Sequence, residues 1–301
     1  MRDEPLCIYA TGSYGRLEAG AESDIDLFFL YEGHPLVQRL SNLTLIRLSA
    51  CLIEATEEMG FPPFSGDGRY LDVHYLDRME EVLGSPEDDS LNVFTARMLL
   101  LLESRPVFAA ERYERILQAV IDFYYRDFDD HAVDFRPTFL LNDILRFWRT
   151  LTLNYEHDRY EVLQLHENEQ AEAKAKSALK NYKLKVSRLA TCFSMVLHLS
   201  SESPPVRAAR VFELCTLTPS QRLEALEGMG DPEADRCIAA LLRRYEEFLD
   251  QVQRPREELL ADFRNDAVRR DRLQEAGSFG EQIFELLRRL VPEDRLRHLL
   301  V

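Results

Sequence analysis

The stretch GSYGRLEAGAESDIDLFFLYE, residues 12–32, sets Asp24 and Asp26 at the mouth of an apolar run, Leu27-Phe28-Phe29-Leu30. A buried carboxylate is costly unless it is paired or binds a metal. Residues 25–31 predict a buried strand. On a strand, residues i and i+2 share a face, so Asp24 and Asp26 point the same way, roughly 6.6 Å apart. Two like charges on one face call for a cation between them. Carboxylate oxygens are hard ligands and suit magnesium, which keeps several waters and shares its shell with substrate phosphates.

The residues ahead of the pair supply the phosphate half of such a site. Residues 5–11 predict a short strand that ends at Gly12-Ser13. A glycine after a strand lets the backbone approach a phosphate closely, and exposed N–H groups there favour anions. The Ser13 hydroxyl is a donor for a phosphate oxygen. Arg16, a turn later, has two readings: it binds a phosphate, or it braces the strand through an acidic partner. Two-metal phosphoryl transfer commonly uses a third carboxylate. The candidate is Asp72, between Leu71 and Val73 in RYLDVHYL, residues 69–76, which alternates as a strand and puts Tyr70, Asp72 and His74 on one face. Asp67 competes for the role from a glycine-containing loop.

Around these strands the pattern predicts a helix opened by Pro35 and closed by Gly60, then a loop at FPPF-SGDG, then a helix from SPEDDS through ARMLLLLES. Residues 1–110 thus predict an α/β (α+β) module with a small mixed sheet. From about residue 111 to residue 301 the pattern is almost continuous amphipathic helix, an all-α bundle, with a break at SSESPP and later helices around 233–252 and 278–290. No internal repeat is visible.

The composition narrows the partners. The chain has 301 residues, 46% hydrophobic, with a formal net charge of -16. An acidic surface repels long polyanions. Charge is uneven, however: KAKSALKNYKLKVSR, residues 174–188, is strongly basic and suits a small anion such as a nucleoside triphosphate. Asn181, Lys185 and Arg188 follow at i, i+4 and i+7 on a helix, and Arg146 and Arg149 at i, i+3, placed to hold β and γ phosphates. Trp148, the only tryptophan, reads as core. Five scattered cysteines, never in CxxC spacing, read as reduced and mostly buried thiols, with no zinc site. No run is long enough to span a bilayer and no secretory signal is visible, so the expectation is a cytoplasmic protein without a membrane partner.

The GS turn, Arg16, the DxD of Asp24 and Asp26 running into an apolar strand, and Asp72 on a later strand together resemble the nucleotidyltransferase superfamily typified by DNA polymerase beta. The helical half, FLLNDILRFWRTLTLNYE followed by KNYKLKVSR, is similar to bacterial nucleotidyltransferases related to protein-uridylylating enzymes. The resemblance implies a catalytic domain over residues 1–110 and a helical domain over 111–301 that closes the nucleotide and acceptor cleft. It makes Asp24, Asp26 and Asp72 the catalytic metal ligands, for two magnesium ions or alternatively manganese. It makes Gly12 and Ser13 the triphosphate turn, and adds Arg16, Asn181, Lys185 and Arg188 as nucleotide contacts.

The implied reaction moves a nucleoside monophosphate from an NTP or dNTP to an acceptor hydroxyl with release of pyrophosphate. The acceptor classes left by the charge are a nucleotide, a short oligonucleotide or a protein. By analogy with the same superfamily, in which a compact two-domain form is common among stand-alone enzymes of phage-defence and toxin–antitoxin systems, the expectation is a role of that kind with a partner protein encoded nearby. The alternatives are a non-catalytic nucleotide-binding sensor or scaffold, and a toxin that modifies tRNA or protein.

Overall fold

The structure, a computed structural model, describes residues 5–64 and 71–298. The chain divides into two compact units. The first runs to Phe135 and takes in Arg207–Thr216; the second comprises Arg136–Val206 and Leu217 onward. The division thus falls later than residue 110. The physical reason is that the helix after that point packs back onto the sheet.

In chain order the first unit holds β1 (Leu6–Thr11), the single turn α1 (Gly12–Gly15), β2 (Asp26–Tyr31), α2 (Asn42–Glu58), β3 (Val73–Tyr75), α3 (Leu76–Glu81), α4 (Pro86–Ser90), α5 (Val93–Leu102), β4 (Arg105–Phe108) and α6 (Ala110–Asp122). The strands form one mixed sheet in the order β3-β2-β1-β4. β1 runs antiparallel to β2 and to β4, and β2 runs parallel to β3. On one face Leu6, Ile8, Ala10, Leu27, Phe29 and Tyr31 pack with Leu48 of α2. On the other, Tyr9 stacks on Phe28 at 5.5 Å, its hydroxyl donates to the Ala96 carbonyl at 3.3 Å, and Tyr113 of α6 lies 6.2 Å from it. Cover on both faces is why β1 and β2 read as unbroken apolar runs rather than alternating ones.

Several boundaries differ from the expectation. α2 starts at Asn42, not at Pro35: Ser41 is extended and its hydroxyl caps the Thr44 N–H at 3.1 Å. The apolar spacing of Leu36 and Leu40 is a coincidence of the loop. The helix expected from SPEDDS onward is broken after Ser90, because Asn92 sits at φ 57°. β4 has no sequence signature, since RPVF is too short to carry a pattern. β3 is only Val73–Tyr75, and Asp67 and Tyr70 lie outside the described residues.

A buried ion pair ties α4 to α5. Arg97 and Asp88 are both fully buried, joined by two parallel bonds of 2.8 and 2.6 Å, while Arg97 Nε donates to the Tyr124 hydroxyl at 2.8 Å. The fork satisfies the carboxylate on both oxygens.

The second unit is helical: α7 (Thr138–Gln164), α8 (Glu167–Lys183), α9 (Leu189–Ser201), then, after α10 (Ala208–Thr216) of the first unit, α11 (Pro219–Glu224), α12 (Pro232–Val252), α13 (Arg256–Arg264), α14 (Asp266–Leu290) and α15 (Glu293–His298). A π turn, Leu184–Arg188, joins α8 to α9. α14 begins well ahead of the expected 278 because Asn265 caps it, accepting from Ala267 N–H at 3.0 Å. No helix among the described residues is long and apolar enough to cross a membrane.

Asp88→Ala leaves the Arg97 charge buried without its partner and should cost about 3–5 kcal/mol. The Asp88→Leu, Arg97→Met pair should recover most of that loss, both read from urea midpoints.

Candidate active site

The wiring of the sheet gathers the expected residues at one end. β1 ends at Thr11, whose partner across the antiparallel ladder is Asp26, the first residue of β2. β3 runs parallel to β2 and pairs from Phe29↔Val73 onward. One step back along that register puts Asp72 opposite Phe28. The GS turn, the DxD and Asp72 therefore leave the sheet at the same edge.

Gly12 takes φ +66°, a left-handed conformation that favours glycine. A Cβ there would stand 3.4 Å from Asp26 Oδ2, so the turn lies directly beside that carboxylate. Ser13, half-buried, follows in α1. Gly15 is required more strictly. A Cβ at this position would come within 1.9 Å of the Glu103 carbonyl oxygen and 3.1 Å of the Ala10 one. The turn is therefore clasped against the end of α5 with no room for a side chain. Nothing in the local sequence marks Gly15, because the neighbour that excludes a side chain lies far along the chain.

Arg16 is buried and both ends of its guanidinium are engaged: Nε donates to Glu18 at 2.7 Å and Nη1 to the fully buried Glu103. Of the two sequence readings, the geometry is that of the brace through acidic partners.

Asp26 is half-buried, whereas Asp24 lies outside regular structure ahead of the strand and is exposed. The same-face spacing assumes a strand from residue 25, but β2 begins at Asp26, so strand geometry does not place Asp24. Asp24 makes no hydrogen bond or ion pair among the described residues. Asp72 sits at a bend immediately before β3, exposed rather than within the strand. His74, two residues on, is buried and stacks on Phe28 at 6.0 Å. Burial pushes its pKa down to about 4, against a smaller opposing pull from the Asp72 charge. His74 is thus a neutral core histidine.

The three acids supply hard oxygen donors only, the set that suits magnesium. Among the described residues, no group of three or more His, Cys, Asp or Glu is arranged to hold a metal ion by itself.

The helical residues lie in the second unit. Asn181 is half-buried near the end of α8, Lys185 exposed and Arg188 half-buried within the π turn. The wider turn breaks the 3.6-residue register on which the i, i+4, i+7 face rests. Arg146 reaches Asp143 at 3.5 Å on its own helix, and Trp148 packs edge-on to Phe193 at 5.9 Å. Beside the π turn, Tyr182, Val186, Arg244, Phe248 and Phe279 line a cavity of about 630 Å³ that the sequence did not announce. Cys7, Cys192 and Cys215 are buried as expected, but Cys51 is exposed on α2.

Comparison with protein-family models, curated proteins and solved structures found no match to this chain.

Gly15→Ala should destabilise the first unit by about 3 kcal/mol, since backbone rather than a flexible side chain must give way; thermal and urea unfolding measure it. His74 gives a pH signature. Its folded pKa is about 4 against the ordinary 6.5, so the unfolded chain takes up a proton first. Stability is unaffected above pH 6.5 and falls as pH drops towards 4. Between about pH 7 and pH 5 the loss from this group is about 2 kcal/mol. His74→Phe, which keeps the stack on Phe28, should remove that part of the pH dependence.

Proposed function

We propose that this chain is a metal-dependent nucleotidyltransferase. One observation carries the reading: the left-handed Gly12 turn lies against the Asp26 carboxylate at the end of the sheet where β2 and β3 begin, with Asp24 and Asp72 in the chain just ahead of those strands. The resemblance of the GS turn, DxD and third acid supports it.

In this reading Asp24, Asp26 and Asp72 would hold magnesium, a hard cation that commonly keeps water and substrate phosphates in its shell beside a few carboxylates. Bound there, the metal would supply charge neutralisation at the phosphates and a lowered pKa for the acceptor hydroxyl. Gly12 lets the backbone N–H groups approach the triphosphate, and Ser13 donates to a phosphate oxygen. Arg16 does not contact the nucleotide; locked to Glu18 and Glu103, it holds the turn in place. The acceptor oxygen forms a bond to the α-phosphorus, the bond to the bridging oxygen breaks, pyrophosphate leaves, and the acceptor proton passes to solvent. The protein's contribution is positioning and fixed charge. The acceptor is a nucleotide, a short oligonucleotide or a protein, in keeping with a net charge of -16.

The test is turnover with magnesium and each labelled ribo- and deoxynucleoside triphosphate, in the presence of oligonucleotide, tRNA and protein acceptors. Label should transfer with stoichiometric pyrophosphate, and Asp24→Asn with Asp26→Asn should abolish it, a loss of at least about 1000-fold (~4 kcal/mol of barrier). Nucleotide binding without any product would favour a sensor. No binding at all would remove the reading of residues 12–72.

A further inference from the structure

The cavity beside the π turn lies wholly within the second unit and shares no residue with the site proposed above. Its volume, about 630 Å³, is that of a small-molecule site. Three helices build it. α8 brings Tyr182 and the π turn Val186, α12 adds Phe248, and α14 adds Ala276 and Phe279. All five are buried, so the floor is apolar and largely aromatic. Turns of the π type are frequent at functional sites.

Two groups here lack the partners that their burial calls for. Tyr182 is 4% exposed, its ring against Phe248 at 5.2 Å and Phe263 at 5.6 Å, yet its hydroxyl makes no hydrogen bond among the described residues. Buried tyrosines ordinarily find one. The charges of Arg272, Glu275 and Glu247, three other lining side chains, act on the phenol, which puts its hydroxyl on the cavity side. Burial pushes its pKa up to about 12, so at neutral pH it stays protonated and can donate. Arg244, one turn before Phe248 on α12, is half-buried and makes no hydrogen bond or ion pair among the described residues. The other lining arginine is committed: Arg272 donates to Glu275 at 3.0 Å and to Gln251 at 3.1 Å.

The two vacant groups define the ligand. A half-buried guanidinium without a carboxylate has lost hydration with no charge to offset it. Glu247 and Asp271 also line the cavity, but they are exposed, and water satisfies them. The group missing beside Arg244 is therefore an anion. Those rim carboxylates limit it to a single charge, because a second would be repelled by them. The aromatic floor suits a flat ring, which packs on Phe and Tyr side chains.

We infer that this cavity binds a planar aromatic monoanion. The ring lies on Phe248, Phe279 and Val186, the anionic group pairs with Arg244, and a polar atom of the ring accepts from the Tyr182 hydroxyl. A nucleoside triphosphate, with several negative charges, does not suit this rim. The inference is independent of the reaction proposed above.

Equilibrium dialysis of the full chain against 6-hydroxy-2-naphthoate tests it. The compound should bind with a Kd below about 1 mM. 6-Hydroxy-2-naphthalenemethanol, which lacks the charge, and naphthalene-2,6-dicarboxylate, which carries two, should each bind at least about tenfold more weakly. Arg244→Gln should weaken the monoanion by about tenfold or more and leave the neutral compound unchanged. Tyr182→Phe keeps the ring and should weaken the monoanion about fivefold. Glu247→Gln removes a rim charge and should strengthen binding of the dicarboxylate. Circular dichroism checks that each variant folds, and Arg244 and Glu247 are placed to tolerate the change because neither is buried. No binding of the monoanion up to about 1 mM overturns the inference. So does binding that a folded Arg244→Gln variant leaves unchanged, or equal affinity for the neutral and charged compounds.

Discussion

Gly15 and Glu103 touch backbone to backbone, and Arg16 pairs with the buried Glu103 carboxylate beside that contact. This clasp fixes the α1 turn, and the turn in turn fixes what lies next to Asp26. A buried ion pair adds little net stability, because desolvation offsets most of the attraction. Its directional value is greater: a guanidinium held by two carboxylates has one orientation. The turn between β1 and the DxD is therefore pinned by a side chain, while the exposed acids ahead of β2 and β3 stay open to solvent.

The sheet does the remaining positioning. Antiparallel pairing of β1 with β2 brings the end of one strand to the start of the next. Parallel pairing of β2 with β3 brings two strand starts together. Gly12 and Asp26 therefore lie side by side, and Asp72 precedes β3 at the same end of the sheet, although the three are dispersed along the chain. Apolar cover packs the central strands from both faces, with Leu48 on one side and Tyr113 on the other.

Legibility follows the range of the interaction. Asp24 and Asp26 stand out because a carboxylate entering an apolar strand is expensive wherever it occurs. Gly12 stands out because a glycine closing a strand is a local conformational signal. The buried Asp88–Arg97 pair, by contrast, joins residues whose burial depends on helices packed from elsewhere. The start of α2 is hard to read because Leu36 and Leu40 mimic a helical period that Ser41, in extended conformation, interrupts. The basic face on α8 presupposes one regular helix, and the π turn at Leu184–Arg188 changes its register.

The amino-acid sequence by itself determined the division into a mixed α/β module and a helical remainder, the two central strands, and the acids and glycine turn at their ends. These follow from burial costs and periodicities that act over a few residues. Only the tertiary structure decided that Arg16 is a brace, that His74 is a neutral core residue, that Gly15 admits no side chain, and that a cavity lies beside the π turn. Each of those depends on what a distant segment places alongside, and contacts made across 87 residues, as between Arg16 and Glu103, leave no periodic trace in the chain.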